Sequence, residues 1–184
     1  GKTLSLKNTF LSQKKNTESS NLPSGGKYSL LQKPTMGDKP NASIALRFGD
    51  ENSLMNKPEI SGLLADMLKT GTTNRSKKQI SDELDRIKTN ISFSGAVNGL
   101  IININTDKQN LSAALTLLDD MLRNPKFDEA EFDKIKIDAK ADIEASKNDP
   151  QTVAGEKLNK LSTNYPKGHP NYAASSDEAL EDLA

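Results

Sequence analysis

From Ile91 to Ile104, apolar residues recur at alternate positions on both sides of one dipeptide. Ile91, Phe93 and Val97 precede Asn98-Gly99, and Leu100, Ile102 and Ile104 follow it. A period of two marks strands that bury one face, and Asn-Gly is the dipeptide best suited to a type I′ turn, so the segment predicts an antiparallel hairpin. One apolar face of such a hairpin must be covered by other elements, which commits the chain to a layered fold. The same alternation appears earlier, where Ala42, Ile44, Leu46 and Phe48 interleave with Ser43, Ala45 and Arg47, and Tyr28 to Lys33 reads as a strand before it.

The covering elements are legible as helices. Ile60, Leu63, Leu64, Met67 and Leu68 fall at i, i+3, i+4, i+7 and i+8, with Pro58-Glu59 in the first turn and Gly71 at the stop. Ser76 with Gln79 forms a capping box, opening a helix with Ile80, Leu84 and Ile87 on one face. Asn110 is expected to cap a helix bearing Leu111, Leu115, Leu118 and Leu122, which stops before Pro125. Asp128 and Glu131 start a longer one through Phe132, Ile135, Ala139 and Ile143, broken at Asp149-Pro150, and a further helix runs to about Ser162. The order is ββααββαα with further helix. This is an α+β domain with an antiparallel or mixed sheet and helices packed on one face.

Residues 1–26 are rich in Lys, Asn, Ser and Gly and end in Pro23-Ser24-Gly25-Gly26, so they are read as a polar linker arm, with the domain over 27–184. A helix opening at Ser175-Ser176-Asp177 meets the end of the sequence after barely two turns, and a C-terminally truncated domain is expected. The 184 residues carry 25 Lys+Arg against 25 Asp+Glu. This balance gives no net positive field for nucleic acid or anionic lipid. No run approaches the roughly 18 consecutive apolar residues of a membrane span.

Candidate chemistry is sparse. There is no Cys and a single His. That excludes thiolate nucleophiles and Cys-ligated zinc, and leaves His169, in Tyr165-Pro166-Lys167-Gly168-His169-Pro170, as the only imidazole. A loop histidine between prolines is usually a surface residue, and nothing around it supplies a nucleophile or a second metal ligand. The many acids from Asp128 to Glu144 alternate with lysines as solvated helix pairs do. No glycine cluster lies between a strand and a helix with phosphate-cradling spacing.

Two stretches carry a family resemblance: Leu46-Arg47-Phe48-Gly49-Asp50-Glu51-Asn52-Ser53-Leu54, and Gly62-Leu63-Leu64-Ala65-Asp66-Met67-Leu68-Lys69-Thr70-Gly71-Thr72. Together they resemble the pitrilysin/insulinase zinc metallopeptidases. In active members the matching helix carries His-x-x-Glu-His, then Met, a short apolar step and Gly-Thr. Setting Gly71-Thr72 on that Gly-Thr places Gly62 and Asp66 where the two zinc histidines stand, and Ala65 where the general-base glutamate stands. The third ligand, a glutamate of the later long helix, falls near Asp142, with Glu144 as a neighbour. On a helical wheel Gly62, Ala65, Asp66 and Lys69 lie opposite a core stripe of Ile60, Leu64 and Met67. The resemblance therefore implies a degenerate motif, with no catalytic residue and no zinc ligand in this chain.

The implied whole is a longer zinc endopeptidase of four homologous domains, of which this chain resembles the first domain of the silent C-terminal half. Its expected role is to shape the substrate chamber, with zinc held in the catalytic half of the parent. Expected partners are that half and an unstructured peptide. The alternative is a structural or assembly module akin to non-peptidase core subunits of the same fold. The sequence does not fix the compartment; a periplasmic or otherwise exported bacterial parent is compatible with it. Hydrolysis by His169 is the least supported reading.

Overall fold

The computed structural model describes residues 17–21, 27–31 and 41–184. The chain divides into two compact units, Gly1–Lys39 and Pro40–Ala184. In the first, β1 (Thr17–Asn21) pairs antiparallel with β2 (Lys27–Leu31), from Asn21 opposite Lys27 to Thr17 opposite Leu31. The expected strand over Tyr28 to Lys33 is thus present as far as Leu31, while Gln32, Lys33 and Pro23 to Gly26 lie outside the described residues. Thr17–Asn21, read from sequence as part of an arm without elements, is a strand. Its pairing rests on backbone hydrogen bonds, which Thr, Ser and Asn support without any apolar alternation to advertise them.

The second unit is built on a three-stranded antiparallel sheet ordered β3-β5-β4, where β3 is Asn41–Arg47, β4 is Asn90–Ala96 and β5 is Gly99–Asn105. Its register places Ile44 opposite Ile102, and Ile102 opposite Phe93. One face is therefore apolar across all three strands, and the fold class is α+β as the pattern of elements requires. The hairpin turn differs from its expected form. Ala96 pairs with Gly99, so the turn residues are Val97 and Asn98, and Gly99 belongs to β5. Gly99 answers a different need, because a Cβ there would lie 2.0 Å from the Leu46 carbonyl oxygen of β3.

Seven helices are present among the described residues, three between β3 and β4 and four after β5: α1 (Glu51–Leu54), α2 (Ile60–Met67), α3 (Lys77–Arg86), α4 (Leu111–Arg123), α5 (Glu129–Ser146), α6 (Pro150–Ser162) and α7 (Ser176–Asp182). The starts of α1, α3, α5, α6 and α7 are fixed by side chains that accept from orphan N–H groups, whereas Glu59 makes no such bond at α2. Ser76 and Gln79 make the expected reciprocal box on α3, Asp128 accepts from Ala130 and Glu131, and Asp149 accepts from Gln151. Asn110 makes no capping bond, since a 3-10 turn over Lys108–Asn110 leads straight into α4. None of these helices is long and apolar enough to cross a membrane.

The core joins Ile91 and Phe93 of β4, Leu100, Ile102 and Ile104 of β5, Ile80 of α3, and Ala114, Leu117, Leu118 and Met121 of α4. Each such large side chain contributes about 1.5–3 kcal/mol when removed from water. The buried stripe of α4 is rotated from the expected one, for Leu115 is 43% exposed. Ala114 and Met121 share the buried face with Leu117 and Leu118, where apolar periodicity weights leucines alone.

Candidate functional site

The helix of the degenerate motif, α2, lies on β4 and against α5. Its face toward the sheet is Ser61, Ala65 and Leu68, all buried, at i, i+4 and i+7. This corrects the expected wheel at two positions, for Ala65 is 3% exposed and part of the core while Ile60, assigned to the core stripe, is 40% exposed; Met67 is buried and Leu64 packs against the core, as expected. The reason lies at Gly95 of β4, whose missing side chain lets the backbone at Ser61 and Gly62 come within contact. Small residues stand where the helix meets Gly95, and Leu68 joins the core one turn further on. Leu63, Leu64 and Met67 line an apolar groove of about 420 Å³ with Phe127, Phe132 and Glu129.

Beside the buried face, Gly62 points into open space, with no atom within 4 Å of where a Cβ would stand. Asp66 is half-exposed and paired with Lys69 at 2.6 Å. Asp66 and Asp142 do come together, lining one cleft of about 410 Å³ between α2 and α5 that also holds Lys69, Lys77, Glu131, Lys134 and Asp138. Gly62 and Ala65 do not line it. Glu144 lies away from it, paired with Lys147 at 2.9 Å.

The Gly71-Thr72 end of the motif is pinned by a residue that sequence reasoning missed. Asp120 of α4 accepts hydrogen bonds from Thr72 Oγ1 at 2.9 Å, Asn74 Nδ2 at 2.6 Å, Arg75 Nη1 at 2.5 Å and Asn124 Nδ2 at 2.9 Å. Burial pushes its carboxyl up, but the bonds from Asn74, Asn124, Thr72 and Arg75 outweigh this and hold it down at about 2. Thr72 Oγ1 in turn accepts from the Asn74 and Arg75 amides. The loop after α2 is thereby locked to α4. A signal existed: Asp120 falls on the same helical stripe as Leu117, Met121 and Asn124, where an unpaired charge would be costly.

His169 is not a surface residue. It is 8% exposed, with its ring stacked on Tyr165 at a centroid distance of 4.3 Å. No nucleophile or metal-ligand set gathers around it, and among the described residues no group of three or more His, Asp or Glu is arranged to hold a metal ion.

A family model described as insulinase, peptidase family M16, matches residues 38–172, and the chain belongs to that family. No match was found among the curated proteins. Among solved structures, the crystal structure of a peptidase M16 inactive domain from Pseudomonas fluorescens is similar at 19% identity with a TM-score of 0.72, covering 89% of this chain and 39% of that one. The crystal structure of a protease from Helicobacter pylori is similar at 18% identity with a TM-score of 0.73, covering 91% of this chain and 39% of that one. These likenesses establish the fold, and this chain spans 39% of the length of either neighbour.

The zinc of active family members does not fit the residues present. Gly62 offers no donor, Ala65 is sealed in the core, and the Asp66 carboxylate is neutralised by Lys69. Asp142 stands in a cleft whose lysines compete with any cation for its acids.

Proposed function

We propose that this chain is a non-catalytic domain of a longer M16 zinc endopeptidase, forming part of the wall around an extended peptide. The observation that carries the reading is the state of α2, where the positions matched to two zinc ligands and the general base are an open glycine, an ion-paired aspartate and a core alanine. Metallopeptidase chemistry needs a metal-bound water and a carboxylate to take its proton, and these positions provide neither. The Pseudomonas fluorescens domain of the same fold, described as inactive, supports the same reading.

The sheet face away from the helices suits a wall. Exposed Ser43, Ser94, Asn103 and Asn105 present short polar groups beside the half-exposed Ile101, with one charged side chain, Arg47, exposed on the same face. Such a surface can hydrogen-bond a peptide of any sequence, and enclosing a peptide orders it and excludes bulk water without any reacting side chain. The catalytic half of the longer chain and an unstructured peptide are the partners on this reading.

The test compares cleavage of unstructured peptides by this chain, by the intact gene product, and by the gene product lacking residues 27–184, each with and without a zinc chelator. The expected result is chelator-sensitive cleavage by the intact product alone. Full activity without residues 27–184, or no activity in the intact product, would move the assignment to a structural or assembly module.

A further inference from the structure

The outer face of the three-stranded sheet, turned from the core, is nearly free of charge. Across the register Ser43 stands opposite Asn103 and Asn103 opposite Ser92, and Ala45, Ile101 and Ser94 follow in the same way. Asp, Glu, Lys and Arg make up 27% of the chain, so a face shaped only to meet water would carry charges of both signs. The exception among the described residues is exposed Arg47 at the end of β3. It stands opposite Gly99, and Gly99 opposite Ala96, so its neighbours on the sheet are too small to cover it. The strand end is held in place, since the Phe48 N–H donates to the Asn98 carbonyl at 3.0 Å. The chain has four arginines, and three of them are paired: Arg75 with Asp120 at 2.5 Å, Arg86 with Glu83 at 2.6 Å and Arg123 with Asp119 at 2.5 Å. Arg47 makes no ion pair among the described residues. The acids that follow it in sequence are engaged elsewhere, Asp50 accepting from the Ser53 N–H at 2.8 Å and Glu51 Oε1 lying 3.2 Å from His169 Nε2.

We propose that Arg47 gives this face a preference for acidic peptides: an extended segment lying on the sheet is favoured when it presents a carboxylate to the guanidinium. The inference rests on the reading of the sheet as a peptide wall and names the chemistry that wall selects. A guanidinium is a planar fork of donors that fits a carboxylate through two hydrogen bonds at once. The Ser and Asn side chains over the rest of the face both donate and accept, so they hold a peptide without choosing its sequence. Charge complementarity therefore comes from one point. No acid stands on the face to meet a lysine or arginine of the peptide, and Arg47 is the one group there that distinguishes a carboxylate from its amide. Because the pair forms at the surface, the preference is modest and weakens with salt.

Fluorescence anisotropy of labelled peptides, measured on this chain, tests the preference without requiring cleavage. One peptide is an uncharged Ser/Thr/Gly sequence with central glutamines and blocked ends. A second carries glutamates in their place, and a third is the glutamine peptide with a free C-terminal carboxylate. At low ionic strength a carboxylate peptide should bind about threefold or more tighter than the blocked glutamine peptide, and the difference should shrink at about 0.5 M salt. Whichever of the two binds tighter identifies the source of the carboxylate, side chain or chain end. Arg47→Gln should equalise the three peptides. Ala45→Glu, which sets a competing carboxylate beside Arg47 on the same face, should do the same, whereas Arg123→Gln removes an equal charge from α4 and should leave the preference intact. Equal binding of all three peptides by wild type, a preference that survives Arg47→Gln or Ala45→Glu, or one that is lost in Arg123→Gln would overturn the role of Arg47 and leave the wall standing. Binding of none of the peptides would overturn the wall itself, and the preference with it.

Discussion

A Cβ on Gly95 would stand 2.7 Å from the backbone nitrogen of Gly62, well inside van der Waals contact. The two glycines have opposite needs. Gly95 of β4 supports the backbone of α2 directly, so the helix sits flush on the strand, whereas the Cβ direction of Gly62 opens to solvent. Because this contact sets the roll of α2, it also decides that Ala65 goes into the core while Gly62 and Asp66 stay outside.

Gly95→Ala is accordingly expected to destabilise the fold by about 1–3 kcal/mol, the usual cost of forcing extra atoms into a closed contact. Gly62→Ala meets nothing and gains helix propensity, so it should stabilise by up to about 1 kcal/mol. Urea midpoints of the two variants, measured together, should move in opposite directions.

The buried carboxylate at Asp120 gives the fold an acid limit. Its folded value of about 2 lies below the ordinary 3.8, so the stability it contributes is fully present above about pH 4 and is lost as pH falls through about 2. Asp120→Ala strands the Thr72, Asn74, Arg75 and Asn124 donors and should cost about 3 kcal/mol at pH 7. Denaturant titrations should show the gap between wild type and variant closing as pH is lowered from 4 toward 2.

Glu59, ahead of α2, shows the opposite sign. Burial, aided by the negative charge of Asp182, raises its carboxyl above the ordinary 4.5. Its favourable contribution is present below pH 4.5 and is lost as pH rises through the raised value, so the ionised form is a cost at neutral pH. Glu59→Gln should raise the melting temperature by about 2 °C at pH 7. Below pH 4 that gain should vanish, as differential scanning calorimetry would show.

Rebuilding the family motif should divide along the same geometry. Ala65→Glu places a carboxylate among the core residues of β4 and α4 and should cost about 3 kcal/mol or more, or prevent folding. Gly62→His with Asp66→His puts both imidazoles at exposed positions one turn apart and should fold like wild type. Circular dichroism melts distinguish the two outcomes.

Much of this was legible in the sequence, for definite reasons. Alternating Ala42 to Phe48 and Ile91 to Ile104 gave the sheet its buried face, and the caps at Ser76, Asp128 and Asp149 were readable because their bonds are local. What escaped depended on distant partners. Gly99 reads as a turn residue and is a close approach to β3, Asp120 drew no notice and is the hub of the loop after α2, and His169 reads as exposed although its loop rests on the turn after α1. The face of α2 departs from expectation at Ile60 and Ala65 because apolar periodicity weights large side chains, while the close approach at Gly95 favours small ones.

The account rests on α2 presenting no metal centre, and elemental analysis of the dialysed wild-type chain at neutral pH tests that most directly. The expected zinc content is close to zero per chain, and Asp66→Ala and Asp142→Ala should leave it unchanged. About one zinc per chain, lost in either variant, would contradict the placement of the motif and with it the non-catalytic assignment.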